Sequence, residues 1–456
     1  MIKFRQQEKN VERIRRKKMR KFNKFASIAL SVAMVATMAV GCGNSDTKKA
    51  GGGKSADGKV TIKLFSNLTD RKNGQGLVEQ TIIDEYEKEN PNVTIEVEAL
   101  DEEAYKTKFK AYSMSGMPDV VSIWGQPAFL DEVVEAGVLA ELNQDDYKDY
   151  QFVEGSLSGY TYDGKLYGLP RNTDIGVFYY NQKMFEDNGW EVPKTYDELL
   201  ELGKKINEKG IVPVAMDGGD GWPLCCYLAD VLFKITGTDY LDTVSKAMES
   251  GDFSSDEMKK AAQLLKDAAD ANLFQKGYDT QDYGAAMNLF TNGQAAMFYM
   301  GSWETSMAVN EDIAEDIRTN IRVFTMPTVE GGKATATDIS AWNGGGYAVS
   351  ANSEVKEEAI KFLNYMYQPE KLSKLGWENG VGLSAQDQSS YMTGDETELQ
   401  KQIVEILSNS TNLSGTPIND LGTSAFKTTI ESEIQSVCNG SKSVDDFLSA
   451  LGGACK

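Results

Sequence analysis

The 456-residue chain contains no histidine and only five cysteines, which removes the commonest general base, a Ser-His-Asp arrangement, the usual zinc ligands and a disulfide framework. Its 68 Asp/Glu against 47 Lys/Arg give a net charge of −21, a balance that repels polyphosphates and excludes nucleic acid as an expected partner. No phosphate loop, calcium loop or Cys cluster occurs, so neither cofactor nor metal is expected, and any acid–base chemistry would fall to carboxylates.

Residues 3–24 hold eleven Lys/Arg and only Glu8 and Glu12, and an uncharged apolar run follows from Phe25 to Gly41. A basic flank, a short apolar core and small residues at its end describe a secretory signal peptide over 1–41. At about 17 residues the run reaches the lower edge of what spans a bilayer, so an uncleaved membrane helix is the alternative. The stretch AVGC, ending at Cys42, resembles the lipobox of bacterial lipoproteins, which implies lipid on Cys42 and an anchored chain. In both cases the body lies on the extracytoplasmic face of the cell membrane. Without the leader, 36 basic and 66 acidic residues leave −30. Residues 42–58 are rich in Gly, Ser, Lys and Asp and predict a flexible tether, with an end-to-end distance of about 20 to 25 Å.

The remaining residues, about 400, exceed one ordinary core, so two domains are expected. VTIKLFSN, from Val60, alternates as a strand does. A helix follows, with Leu77, Ile82 and Tyr86 near one face, and VTIEVEAL is a second strand; the unit predicts a parallel pair with a crossover helix. A helix from Glu102 to Met114, the strand PDVVSIW and the helix PAFLDEVVEAG extend an α/β lobe with a parallel sheet. IGVFYYN (175–181) begins the next set. Thr195 and Glu198 form a capping box for a helix whose Leu199, Leu202 and Ile206 share a face and whose end is marked by Gly210. IVPVAM, QAAMFYMG, IRVFTMP and NGGGYAVSA are further strands. Helices are predicted over 222–235, 256–271, 281–290, 354–367, 396–407, 424–437 and 443–451. Pairing of Cys438 with Cys455 stays open.

In open α/β sheets ligands bind beyond the carboxyl ends of strands. The corresponding loops are SNLTDRKNG (66–74), IWGQP (123–127), PRNTD (170–174), MDGGDGWP (216–223), MGSWE (300–304) and SAWNGGG (340–346). Four carry a tryptophan: Trp124, Trp222, Trp303 and Trp342. Each stands within two residues of Gly, Asp, Asn, Gln or Glu. Indole faces suit the C–H faces of a pyranose, and carboxylates, amides and Arg suit its hydroxyls. Asn67, Asp70, Arg171, Asp174, Asp217, Glu304 and Asn343 are the polar candidates. Each polar residue has a plain structural alternative as a cap, turn or surface ion pair, and Arg171 and Asp174 also flank a possible hinge.

These residues carry a family resemblance. PDVVSIW, GLPRNTDIGVFYYNQKMFEDNGW, VPKTYDELLELGKKI, FTNGQAAMFYMGSWE, GGGYAVSANSEVKEEAIKFLNYM and NGVGLSA occur in the order found in extracellular solute-binding proteins, family 1, of carbohydrate ABC transporters, the maltodextrin-binding-like group. The resemblance covers nearly the whole chain from Cys42, with Tyr196 in place of the family's Trp in VPKTYDEL. It implies an α/β, two-lobed periplasmic-binding-protein-like fold of type II, with a hinge and extra C-terminal helices. The N-terminal lobe would hold 59–172 and 328–378, and the C-terminal lobe 173–327 and 379–456. Crossings are expected near Arg171–Thr173, Met326–Pro327 and Leu375–Gly380. A ligand-stacking role carries over onto Trp303. The implied function is binding of a mono- or oligosaccharide by hinge closure and delivery to permease subunits, by a lipid-anchored monomer that is not an enzyme. The alternative is a surface-anchored carbohydrate-active enzyme using two carboxylates, for instance Asp174 with Glu304.

Overall fold

The computed structural model describes residues 51–455 apart from 56 and 57; the leader and Cys42 lie outside the described residues. Among the described residues the strands form a six-stranded sheet, a five-stranded sheet and a two-stranded hairpin. In the first sheet Val60–Ser66 runs parallel to both Val93–Ala99 and Val120–Trp124, as the strand–helix–strand pattern requires. Its other half is antiparallel: Gly345–Val349 lies between Val120–Trp124 and Leu169–Pro170. The second sheet is built on Thr173–Asn181, which pairs antiparallel with Ala295–Gly301, Ile321–Phe324 and Ala341–Asn343. Val212–Ala215 completes it, parallel to Ala295–Gly301.

Helices cover each sheet through their apolar faces. Gly74–Glu89 buries Val78, Ile82, Ile83 and Tyr86, whereas Leu77 is only half-buried. Tyr196–Asn207 starts in the capping box of Thr195 and Glu198 and buries Leu199, Leu202 and Ile206. Trp222–Thr236 is buried along its whole length, because Asp256–Asp270, Ser424–Cys438 and the strands around Thr173–Asn181 surround it. Tyr240–Ser250, Ala341–Asn343 and Leu372–Glu378 are elements that the sequence reading does not contain.

The apolar residues divide into two cores. One takes residues from Val60 to Leu169 and from Tyr347 to Leu372. The other takes Ile175 to Ala341, then Leu383 and the tail up to Leu451. The molecule therefore has two α/β lobes. The crossing expected near Met326–Pro327 lies further along the chain, since Val329, Ile339 and Ala341 all belong to the second core. The buried ammonium of Lys234 explains this: it donates to the carbonyls of Thr335 at 2.9 Å and Asp338 at 2.5 Å, pinning the intervening strap to the second lobe. The chain passes back to the first sheet at Gly344. The last crossing, expected over Leu375–Gly380, also falls slightly later, with Val381 packed on the first core and Leu383 within the second.

Ordered structure begins earlier than Val60. Gly53–Lys54 pairs antiparallel with Val60 and Thr61, and the buried Asp119 carboxylate accepts from the Gly52 N–H at 2.7 Å and the Lys63 N–H at 2.8 Å. Gly52 is needed there, because a Cβ would stand 1.8 Å from the Thr61 carbonyl oxygen. The end of the expected tether is thus stitched to the sheet edge. Cys438 is a buried free thiol, so a bridge to Cys455 is not formed.

Candidate functional site

Between the lobes lies a cavity of about 680 Å³, within the range of small-molecule sites. Nine of the eleven residues singled out from sequence line it: Asn67, Asp70, Trp124, Arg171, Asp174, Trp222, Trp303, Glu304 and Trp342. Several arrive from the carboxyl ends of strands, as the α/β rule expects, whereas Asp174 stands at the start of its strand and Trp222 opens a helix. Trp124 ends Val120–Trp124, Asp174 and Trp342 face each other in the pairing of Thr173–Asn181 with Ala341–Asn343, and Trp303 and Glu304 follow Ala295–Gly301 in a 3-10 turn. Asp217 and Asn343 stand outside the cavity. Asp217 is buried behind it and accepts the N–H of Asp220, which does line it, at 3.1 Å. Asn343 turns its amide toward the Gly155 carbonyl at 3.4 Å, into a small side pocket.

On the second lobe the aromatic rings form a continuous wall. Trp222 stacks on Tyr283 with ring centroids 6.2 Å apart and meets Trp303 at 5.9 Å, and Trp303 meets Trp342 edge-on at 6.3 Å. The Trp303 Nε1–H donates to the Tyr283 hydroxyl at 2.8 Å, and that hydroxyl donates to the Glu304 carboxylate. This chain fixes the indole's orientation. Gly301 allows it, because a Cβ there would lie 1.8 Å from the Trp303 ring. On the first lobe Trp124 packs against Phe129 at 5.0 Å and edge-on against Tyr105 at 5.9 Å.

Polar atoms in the same walls lack protein partners among the described residues. The Trp222 Nε1–H, Gln75 Nε2 and Arg171 Nε are buried donors without acceptors, and Gln126 Oε1 and Asn172 Oδ1 are buried acceptors without donors. Trp222, Asn172 and Gln126 are only 8%, 5% and 3% exposed. Each such atom costs about 1 to 3 kcal/mol when left unpaired, and all five residues line the cavity. Gln126 is oriented by donating its Nε2 to the Asn343 carbonyl at 2.7 Å, and Asn172 by donating to Asp174.

Burial sets the electrostatics. It pushes the Asp174 carboxyl up to about 7, against the opposing pull of the Asn172 amide and the Arg171 charge. It also raises Glu304, while the Tyr283 hydroxyl opposes. Asp217 is pushed up to about 9, first by burial and then by the neighbouring charge of Asp220. Arg171 is held in place by donating to the Tyr347 hydroxyl at 3.1 Å, above the Tyr347 ring. The Tyr347 hydroxyl in turn donates to the buried Glu79.

The lobes touch at the rim as well. Ser424 donates to the Glu132 carboxylate at 2.8 Å, the Lys427 ammonium stands 4.8 Å from the Phe129 ring, and the Lys106 ammonium stands 5.8 Å from the Trp222 ring. Gln126 and Asn172 sit inside loops that the sequence marked, but amides one or two residues from a marked side chain gave no separate signal. Tyr283 and Lys427 belong to helices far from any marked loop.

Two α/β lobes closed on an aromatic and polar cleft define a ligand-binding protein of the two-lobed, maltose-binding-like fold. Residues 71–371 match the family described as bacterial extracellular solute-binding protein, and the chain belongs to that family. It is 27% identical over 335 residues to the multiple sugar-binding protein of Streptococcus mutans, covering 72% of this chain and 75% of that one. It is 24% identical over 357 residues to the galactooligosaccharide-binding protein of Bacillus subtilis, covering 75% and 77%. A solved structure from work on xylan utilisation by Caldanaerobius polysaccharolyticus superposes with a TM-score of 0.79 at 27% identity, over 86% of this chain and 99% of that one. The fold is shared too with the binding protein RafE solved with raffinose, at a TM-score of 0.69 and 22% identity, over 87% and 98%.

Proposed function

We propose that this chain is the extracytoplasmic receptor of a carbohydrate ABC importer, binding a mono- or oligosaccharide between its lobes and presenting it, chemically unchanged, to permease subunits. One observation carries the reading: four indoles and five unpaired buried polar atoms meet in a single cleft large enough for a saccharide. Stacking of sugar faces on Trp303, Trp222, Trp342 and Trp124, with hydroxyls completing the hydrogen bonding of Gln126, Asn172, Arg171 and Trp222, accounts for that combination. The names of relatives that bind sugars support it.

In this reading lobe one comprises about 52–172 and 345–381, lobe two comprises about 173–343 and 383–455, and the three short crossings act as a hinge. A ligand touched by both lobes favours the closed state. Lipid on Cys42, following the lipobox-like AVGC, keeps the receptor beside its permease as a monomer. Asp174 and Glu304 serve as acceptors for sugar hydroxyls, so no turnover is expected.

A thermal-shift screen of the purified protein against xylo-, galacto- and gluco-oligosaccharides tests this, with chromatography of each sugar after incubation. A ligand at 100 times its Kd stabilises the folded state by about 2.7 kcal/mol, and the sugar should be recovered intact. Absence of any shift across the panel refutes the saccharide reading. Recovery of cleaved sugar refutes the receptor reading in favour of a hydrolase.

A further inference from the structure

The cleft is acidic as well as aromatic. Nine carboxylates line it against two cations, Arg171 and Lys427. Glu102 and Glu103 are paired with Lys106 at 2.8 and 2.6 Å, and Asp420 with Lys427 at 2.8 Å. Lys427 is further matched by Glu431, and the Arg171 guanidinium is directed to the Tyr347 hydroxyl beside the buried Glu79. By contrast Asp70, Asp101, Asp174, Asp220, Asp282 and Glu304 form no ion pair among the described residues. Five have neutral partners: Asp101 and Asp282 accept from N–H groups at helix starts, Asp70 from Lys72 N–H and Asn73, Asp174 from Asn172 and Glu304 from Tyr283, while Asp220 lies against the carboxyl of Asp217.

The unpaired buried atoms of Trp222, Gln126 and Asn172 independently mark this space as one a ligand fills, and with Gln75 Nε2 and Arg171 Nε they make three donors beside two acceptors. Hydroxyl groups, which both donate and accept hydrogen bonds, satisfy such a set. An anionic group would leave the two acceptors unmet and would meet the unpaired carboxylates of Asp70, Asp101, Asp220 and Asp282 at close range, where like charges cost several kcal/mol.

We propose that the cleft sorts saccharides by charge, admitting uncharged or amine-bearing sugars and rejecting those that carry carboxylate, sulfate or phosphate. This rests on the reading of the cleft as a saccharide site. The acids then work chiefly as a filter, with hydroxyl or ammonium groups of the sugar as their acceptable neighbours.

Calorimetric titration with matched series tests it: xylo-oligosaccharides with and without a glucuronate branch, galactose against galacturonate oligomers, and glucose against glucosamine oligomers. In any series whose neutral member binds, the acidic member should bind about 100-fold more weakly, whereas the amine-bearing member keeps its affinity within about tenfold. In the triple variant Asp101→Asn, Asp220→Asn, Asp282→Asn the gap should shrink to under about tenfold, and the helix starts survive because Asn caps as well as Asp. An acidic sugar bound within tenfold of its neutral match overturns the charge filter and leaves the saccharide reading standing. An undiminished gap in the triple variant also overturns it, by removing the acids as the cause. Silence in all series overturns the saccharide reading, and this inference with it.

Discussion

At the scale of single residues the four indoles do different work. Trp303 is half-exposed to the cleft and held by Tyr283, so Trp303→Ala should cost about 2 kcal/mol of sugar binding, a Kd about 30-fold weaker, with the melting temperature little changed. Trp222 and Trp342 are as much core as wall, at 8% and 6% exposure. Trp222→Ala should therefore lower stability by about 3 to 5 kcal/mol as well as weaken binding, read by denaturant titration beside calorimetry. Asp174 gives a pH signature. Its folded pKa of about 7 lies above the ordinary 3.8, so the native state holds this proton more tightly than the unfolded chain. That contribution to stability is complete below about pH 4 and disappears as pH rises to about 7. Asp174→Asn should flatten this decline in denaturation curves from pH 4.5 to 7.5. Asp217, pushed up to about 9, and Asp230, raised to about 6 by burial, leave a further decline of the same sign in that variant. An unchanged slope would show that Asp174 is ionised throughout.

At the scale of elements, the helix Ser424–Cys438 belongs to the second core yet holds the first lobe through the Ser424–Glu132 hydrogen bond and the Lys427–Phe129 contact. Ser424→Ala should weaken the closed state and raise the sugar Kd about threefold to tenfold, while small-angle scattering of the unliganded protein shows a larger radius of gyration. An unaltered Kd would remove this clasp from the closing mechanism. The sequence announced this helix by its periodicity but not its contact with Glu132, some 290 positions away. Elements with strong local signals were legible: Tyr196–Asn207 from its capping box, Val60–Ser66 from its alternation. Tyr240–Ser250 was not, since Asp239 provides no side-chain cap, and Ala341–Asn343 is three residues long, too short for alternation to register. Its pairing with Thr173–Asn181 is a tertiary event.

Over the whole molecule, the two-lobed architecture was readable because the chain is too long for one core and strand–helix patterns recur along it, and nine of the eleven chosen residues share one cleft. What escaped was direction and distance. Asp217 and Asn343 sit in the right loops, but one turns back to the Asp220 N–H and the other toward the Gly155 carbonyl, and no local pattern encodes that. The strap ending at Ala341 was misassigned because its attachment depends on Lys234, a hundred residues earlier.

The stitch between Gly53–Lys54 and Val60–Thr61 has a mechanical outcome. With lipid on Cys42, about ten residues separate the bilayer from the sheet edge, a span of at most about 35 Å even at full stretch. The half of the protein bearing that edge would ride low over the membrane like a moored hull, and the opposite half would swing. Cargo would be gripped between the two halves, at a height above the membrane that the mooring limits.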